Sequence, residues 1–332
     1  AAEMLREAGL TPLVLGPKEG LTLINGTQAH TAIAALALTD ARQLWRVAHA
    51  AGAMTVEALL GTPVAFDARI QEVRGQVGQI VSARLMRELL ADSEIRESHR
   101  HNDPRVQDAY ALRCMPQVHG AARNALSYVR SVLEVEINSA TDNPLIFPDE
   151  GDGLVLSGGN FHVQPIAQVM DLLAMALADL ASISERRIER LVNPDLSDLP
   201  AFLTHEPGIN SGMMIAQITA AALVSECKGL SMPASVDSIP TGANKEDHVS
   251  MGTTAARKAR RVVENLETVL GIEAMCAAQA LEFLKPLRPG RGVERGYRLV
   301  RERIAPLERD RVLAADIAAA AHRIFDAATS HP

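Results

Sequence analysis

The chain has 332 residues, 47% of them hydrophobic and 22% charged, with a formal net charge of −7 at pH 7. That is enough apolar residue to bury a large core, which excludes a disordered chain, and the acidic balance gives no general attraction to phosphate backbones or anionic lipid. No Lys/Arg block of five or more interrupts it, so neither nucleic acid nor a membrane is expected as a partner.

Cys114, Cys227 and Cys276 are widely separated in apolar, helix-like sequence, so neither a disulfide framework nor a CxxC metal knuckle can be drawn. A reducing cytoplasm fits that usage. No run of eighteen apolar residues appears, and the opening AAEMLREAGL has neither a basic n-region nor a signal-type apolar core. The chain starts at Ala1, directly in amphipathic sequence. We therefore expect a single all-α unit over 1–332 that is the central helical core and C-terminal helical part of a longer polypeptide.

In chain order, Leu21–Ile24 reads as a short strand. INGTQAH follows, with Asn25-Gly26 as a turn and Thr27 as N-cap of a helix over Gln28–Leu60. The stretch HNDPRVQDAYALRCMPQVHG opens a helical pattern over Val106–Ile137. A helix starting near Pro104 places Gln107, Tyr110 and Arg113, three residues apart, on one face. Leu145–Phe147 and Leu154–Leu156 read as a hairpin across DEGDG.

SGGNFHVQP then leads into a long helix over Phe161–Leu191, whose apolar positions Ile166, Val169, Met170, Leu173, Leu177, Leu180, Ile183, Ile188 and Leu191 recur mostly at spacings of three and four. Asn193 before Pro194 marks its stop. Further helical patterns cover Asn210–Leu230, Glu246–Leu284 and Asp310–Ala328. These spans exceed the average globular helix of about 11–12 residues. The fold class read from them is all-α: a bundle of long, mostly antiparallel helices with a short hairpin segment near 145–160, assembling as a helical-core oligomer.

Four polar segments interrupt the helices, where chemistry is usually carried. Asn25 offers an amide to a developing oxyanion, although Asn-Gly-Thr is equally a turn and cap. Arg113 suits a carboxylate, Tyr110 can move a proton and Gln107 can orient a polar group, against the alternative of a solvated helix face. Phe161 either staples a helix entry or stacks on a substrate ring, and His162 beside it reads first as a structural histidine. In TGANKEDHVSM, Glu246 is a candidate base or an acceptor for an N–H-bearing substrate, while Asn244, Glu246 and Asp247 also read as caps of a helix starting there. No HxxxH, HExxH or clustered Cys supports a metal, and no phosphate-cradling Gly-rich loop supports pyridoxal phosphate around Lys245.

INGTQ, VQDAYALRCMPQVHG, EINSATDNPLIF, SGGNFH and SIPTGANKEDHVSMG, in this order, resemble the aromatic amino acid ammonia-lyase family along essentially the whole chain, and most closely its histidine-specific branch. The resemblance implies elimination of ammonia from L-histidine to trans-urocanate, the first step of histidine degradation. The implied agent is an electrophilic 4-methylideneimidazole-5-one (MIO) group made from an internal Ala-Ser-Gly, in a homotetramer with sites shared between subunits.

It also implies that Asn25 orients that electrophile and that Arg113 pairs with the substrate carboxylate. Tyr110 and Gln107 would line the reacting centre, Phe161 would wall the aromatic pocket, and Glu246 would meet the imidazole, with Tyr110 and Glu246 both open as base. Lys245 stands where many of these enzymes carry Gln. No Ala-Ser-Gly occurs in the 332 residues, so these residues alone are expected to release no ammonia. The competing readings are a related aryl ammonia-lyase or aminomutase, and a catalytically incomplete helical fragment. The base-only lyases of the fumarase type require a Ser- and Lys-rich loop that is not found here.

Overall fold

The computed structural model describes residues 1–101, 103–149 and 151–329. Asn102 of the HNDPR lead-in, Glu150 of the hairpin turn and residues 330–332 of the expected unit lie outside them. Five long helices build the bundle: α3 (Gln28–Ala58), α8 (Met115–Glu136), α9 (Gln164–Val192), α10 (Met214–Leu230) and α11 (Gly252–Glu282). Around them stand α1 (Ala2–Glu7), α2 (Glu19–Ile24), α4 (Ala68–Glu72), α5 (Val77–Leu89), α6 (Glu94–Ser98), α7 (Tyr110–Arg113), α12 (Arg291–Arg301) and α13 (Ala314–Thr329).

Side-chain pairs give the directions. Asp40 pairs with Arg260, and Thr55 Oγ1 donates to Glu273 Oε1 at 2.9 Å, so α3 and α11 run parallel. Arg187 meets the same Glu273 while Val163 packs on Gly252, so α9 runs with them. Gln217 Nε2 reaches Glu185 Oε1 at 2.9 Å and Glu226 reaches Arg261 at 3.3 Å, so α10 returns against α9 and α11. Met115 at the start of α8 lies against Gly52, and the loop after its end reaches Asn160, so α8 also runs opposite to α9. Consecutive long helices therefore alternate in direction, as expected from the sequence.

The seam is lined by small residues: Ala34, Ala37, Ala41, Ala48 and Ala51 of α3 and Ala255, Ala256, Ala259, Ala277 and Ala278 of α11 are all at most 1% exposed. Small side chains let backbones approach, and the larger Leu, Ile and Met residues between them contribute roughly 1.5–3 kcal/mol each when fully buried. α9 is long and apolar enough by length and composition to cross a membrane, and 56% of its most apolar window is buried inside the bundle. Its apolarity is thus largely accounted for by protein neighbours.

The hairpin forms as read, with Leu145 opposite Leu156 and Phe147 opposite Leu154. Three local expectations are corrected. Leu21–Ile24 belongs to helix α2, because four residues with one polar position carry no decisive period. The expected helix over Val106–Ile137 starts only at Tyr110 and is interrupted at Cys114, next to Pro116; the segment before Tyr110 is irregular, with Asp108 bonded elsewhere. The helix expected from Glu246 starts at Gly252, and Thr241–Met251 is a folded-back loop in which Thr241 N donates to Glu246 O at 3.0 Å.

Candidate active site

The Asn25 turn sits where α2 ends. Gly26 has φ +127, and a Cβ there would lie 2.5 Å from Gln28 Oε1 and 2.9 Å from Thr141 O, so only glycine permits this close approach. Gln28 Nε2 donates to Thr22 O and Leu23 O, and Thr22 Oγ1 donates to Asp142 Oδ2 at 2.9 Å. Thr27 precedes α3 as expected but its side chain makes no capping bond; instead its carbonyl accepts from Thr31 Oγ1 at 2.8 Å. Asn25 is extended (φ −112, ψ 135), and no described residue hydrogen-bonds its carboxamide. His30, one helical turn on, has its pKa lowered chiefly by burial.

The same loop continues into the glycine segment. Asn143 Oδ1 accepts from Gly158 N at 2.7 Å and Ser157 Oγ at 3.2 Å, and Asn160 Nδ2 donates to Ala140 O at 3.1 Å. Phe161, 37% exposed, follows at the head of α9. His162 Nε2 then donates to His248 O at 2.9 Å, with the two rings stacked at 5.8 Å, which ties the Phe161 turn to the loop of Glu246. Read from sequence as structural, His162 is the link between two candidate site segments. Asp142 and Asn143, quoted in a motif but given no role, prove to be the knot joining Asn25 to Phe161; TDNP is a turn signal that carried this information.

Glu246 is exposed, and its carboxylate accepts from the Thr241 hydroxyl. Ala243 (φ 54) and Asn244 (φ 69) are both left-handed, so the expected capping role of Asn244 is replaced by a strained turn. Each such non-glycine residue costs on the order of 1 kcal/mol, a pattern concentrated at functional turns. Asn25, Phe161 and Glu246 therefore share one end of the bundle, beside the starts of α3, α9 and α11.

Tyr110 and Arg113 stand elsewhere. They occupy the single-turn α7, with the Arg113 guanidinium 4.6 Å from the Tyr110 ring centroid and Tyr110 71% exposed. Arg113 Nε is buried without a hydrogen-bond partner, a donor left over for an acceptor group. Gln107 is exposed and precedes α7, so it does not share a helical face with them. Arg187 Nη1 donates to Ala111 O at 3.4 Å, which places α7 beside the C-terminal half of α9. The 24 residues from Gln164 to Arg187 span roughly 35 Å at a rise of about 1.5 Å per residue. One chain thus brings the six sequence-predicted residues into two groups at opposite ends of α9. Among the described residues no group of three or more His, Cys, Asp or Glu is placed to hold a metal ion.

The bundle thus carries a phenol beside a guanidinium with an unpartnered donor at one end, and a carboxamide and an exposed carboxylate at the other. The description "Aromatic amino acid lyase" matches residues 1–302, and the chain belongs to that family. It is similar to histidine ammonia-lyase of Caldanaerobacter subterraneus subsp. tengcongensis, 59% identical over 315 residues, 95% of this chain and 61% of that protein. It is likewise 57% identical over 325 residues to histidine ammonia-lyase of Symbiobacterium thermophilum, 98% of this chain and 63% of that one. The chain spans about three-fifths of the length of these curated relatives.

Among solved structures it resembles histidine ammonia-lyase from Trypanosoma cruzi, with a TM-score of 0.90 at 47% identity over 98% of this chain and 61% of that one. Tyrosine aminomutase from Streptomyces globisporus matches with a TM-score of 0.91 at 36% identity, over 99% and 66%.

Proposed function

We propose that the complete protein eliminates ammonia from L-histidine to give trans-urocanate, the first step of histidine degradation. The observation that carries this reading is the Glu246 carboxylate, presented on a strained turn at the same end of the bundle as Asn25 and Phe161. A carboxylate accepts an imidazole N–H, which a phenyl ring cannot offer. Identity of 57–59% to proteins named histidine ammonia-lyase supports the same choice.

Arg113 binds the substrate carboxylate through its planar fork, with its unpartnered Nε available. Tyr110 packs on that guanidinium and so lies within reach of the Cβ–H, two bonds from the carboxylate; we assign it as the base, with Gln107, in the exposed segment that leads into α7, as a polar orienting group. Glu246 holds the imidazole and Phe161 covers its face. MIO, when bound, supplies the electrophile that turns the ammonium into a better leaving group. The donor set fits it: the free carboxamide of Asn25 has an N–H to give to a carbonyl oxygen. The Ala-Ser-Gly from which it forms is not in these 332 residues and in this reading belongs to another part of the complete protein.

Because roughly 35 Å of α9 separates the two groups, a site needs Tyr110 and Arg113 from one subunit and Asn25, Phe161 and Glu246 from another. We therefore propose a homotetramer with shared sites. On α10, Ile215, Ile218, Ala222, Ser225 and Gly229 form an exposed stripe at spacings of 3, 4, 3 and 4, with Ile215 59% and Ile218 50% exposed. Such a stripe fits helix-to-helix assembly. Three free cysteines fit a cytoplasmic location.

The test is a panel of L-histidine, L-tyrosine and L-phenylalanine offered to the complete protein, with urocanate followed by absorbance. Histidine should be preferred, and Glu246→Gln should lower histidine turnover about tenfold or more, by loss of a charged hydrogen-bond acceptor. Faster turnover of tyrosine or phenylalanine, or a β-amino acid product, would overturn the assignment.

A further inference from the structure

We propose that Asp108 and Arg105 are positioning residues that hold the arm carrying Tyr110 and Arg113 against the C-terminal end of α3; the catalytic part of this inference rests on the function proposed above. The need for such tethers is physical. α7 has four residues, its N-cap Ala109 provides no side-chain cap, and a single helical turn cannot sustain itself in water. Leu112 seats the far side of α7 in the core at 3% exposed, but the side leading into it stands in solvent, with Val106 100% and Tyr110 71% exposed. A base and a carboxylate fork on such a segment would be poorly placed without fixed points on both sides.

Two fixed points lie within five residues of Tyr110. Asp108 is 9% exposed, and its Oδ2 accepts the Thr62 N–H at 2.7 Å. Arg105 is locked by Asp103, with Nε to Oδ1 and Nη2 to Oδ2 both at 3.0 Å. From that position Arg105 Nη1 donates to Leu59 O at 2.8 Å, and Nη2 donates to Leu60 O. Leu59 is the C-cap of α3 and Leu60 has φ +53, so these carbonyls belong to a helix end that needs donors and favours a cation. The arm and the helix end complete each other's hydrogen bonding. Arg105 and Asp108 bracket Gln107, and Asp108 is two residues before Tyr110, so the orientation of all three arm residues depends on this pair of anchors.

What Asp108 supplies is an acceptor at a fixed point, and Asn can supply the same one. In the complete enzyme, Asp108→Ala is expected to lower kcat about tenfold or more with a smaller change in KM, since misplacement by about 1 Å can cost a hundredfold. Asp108→Asn should stay within about threefold of the parent, and Arg105→Met should lower kcat in the same direction. Hydrogen exchange should speed up at the amides of 107–114 in Asp108→Ala and stay unchanged in α9. Parental kcat in Asp108→Ala, an Asn variant as impaired as the Ala variant, or an unchanged exchange rate over 107–114 would each overturn the proposal. Should Asp108→Ala not fold, Arg105→Met at its more open position carries the same kinetic and exchange measurements. A parent enzyme that ignores histidine would refute the proposed function, while the exchange measurement would still judge the anchors.

Discussion

Arg187 and Glu273 face each other with both side chains completely excluded from solvent, Nε to Oε1 at 2.5 Å and Nη2 to Oε2 at 2.8 Å. Thr55 Oγ1 and Ser184 Oγ donate to the same carboxylate, so three helices meet on one buried charge pair. Gly52 makes room for it: a Cβ there would stand 3.6 Å from Arg187 Cζ and 2.7 Å from Met115 Sδ. The pair sits behind α7, so it stiffens the wall against which Tyr110 and Arg113 are mounted.

Removing one partner of such a pair strands the other charge. Glu273→Leu should therefore cost about 3–5 kcal/mol in urea unfolding, and the double change Arg187→Met with Glu273→Leu should recover most of it. An additive double variant would show that the two residues act independently.

Glu57 gives the fold a pH dependence. Burial, partly offset by hydrogen bonds from Ser93 and the Gly290 N–H, raises its pKa from 4.5 to about 7. Between those values the folded chain holds a proton that the unfolded chain has lost, so this contribution is fully present below about pH 4.5 and lost as pH rises through 7. Relative to Glu57→Gln, the parent should lose on the order of 3 kcal/mol between pH 4.5 and pH 8. Parallel stability-against-pH curves for the two proteins would contradict it.

The crossing of α5 and α8 is set by two glycines. A Cβ on Gly120 would lie 2.4 Å from Gln79 N, and one on Gly78 would lie 2.1 Å from Gly120 O, backbone atoms that cannot give way like a side-chain tip. Gly120→Ala should cost about 1–3 kcal/mol or more, while Gly158→Ala, with nothing within 4 Å, should have little effect on thermal unfolding.

Shared sites predict complementation. Tyr110→Phe and Glu246→Ala proteins, each impaired alone, should regain activity when co-expressed. If each site draws these two residues from different subunits, random mixing restores about a quarter of the sites. Activity no higher than the sum of the separate variants would place both residues in one subunit's own site.

Much of the architecture was legible because it follows from local periodicity. The pattern over Phe161–Leu191 located α9 within a few residues, and Asn193-Pro194 located its end, since proline bars the preceding residue from helix. The Leu145–Phe147 and Leu154–Leu156 hairpin came from the same reasoning. Where local pattern misled before Tyr110, a distant partner had engaged a side chain of the segment. Asp108 is engaged by Thr62, so the turn before Tyr110 is not helical, and the expected face of Gln107, Tyr110 and Arg113 keeps only its last two members.

The sequence by itself determined the all-α class and the family, and it named the candidate residues for the roles proposed above, because side-chain chemistry and helical period are local properties. Only the tertiary structure decided that Glu246 lies on a strained loop bonded to Thr241 and not in a helix, that His162 couples it to the Phe161 turn, and that Tyr110 and Arg113 stand at the other end of α9. Distances between residues far apart in the chain are set by how long helices align, and spacing along the sequence carries no record of that alignment.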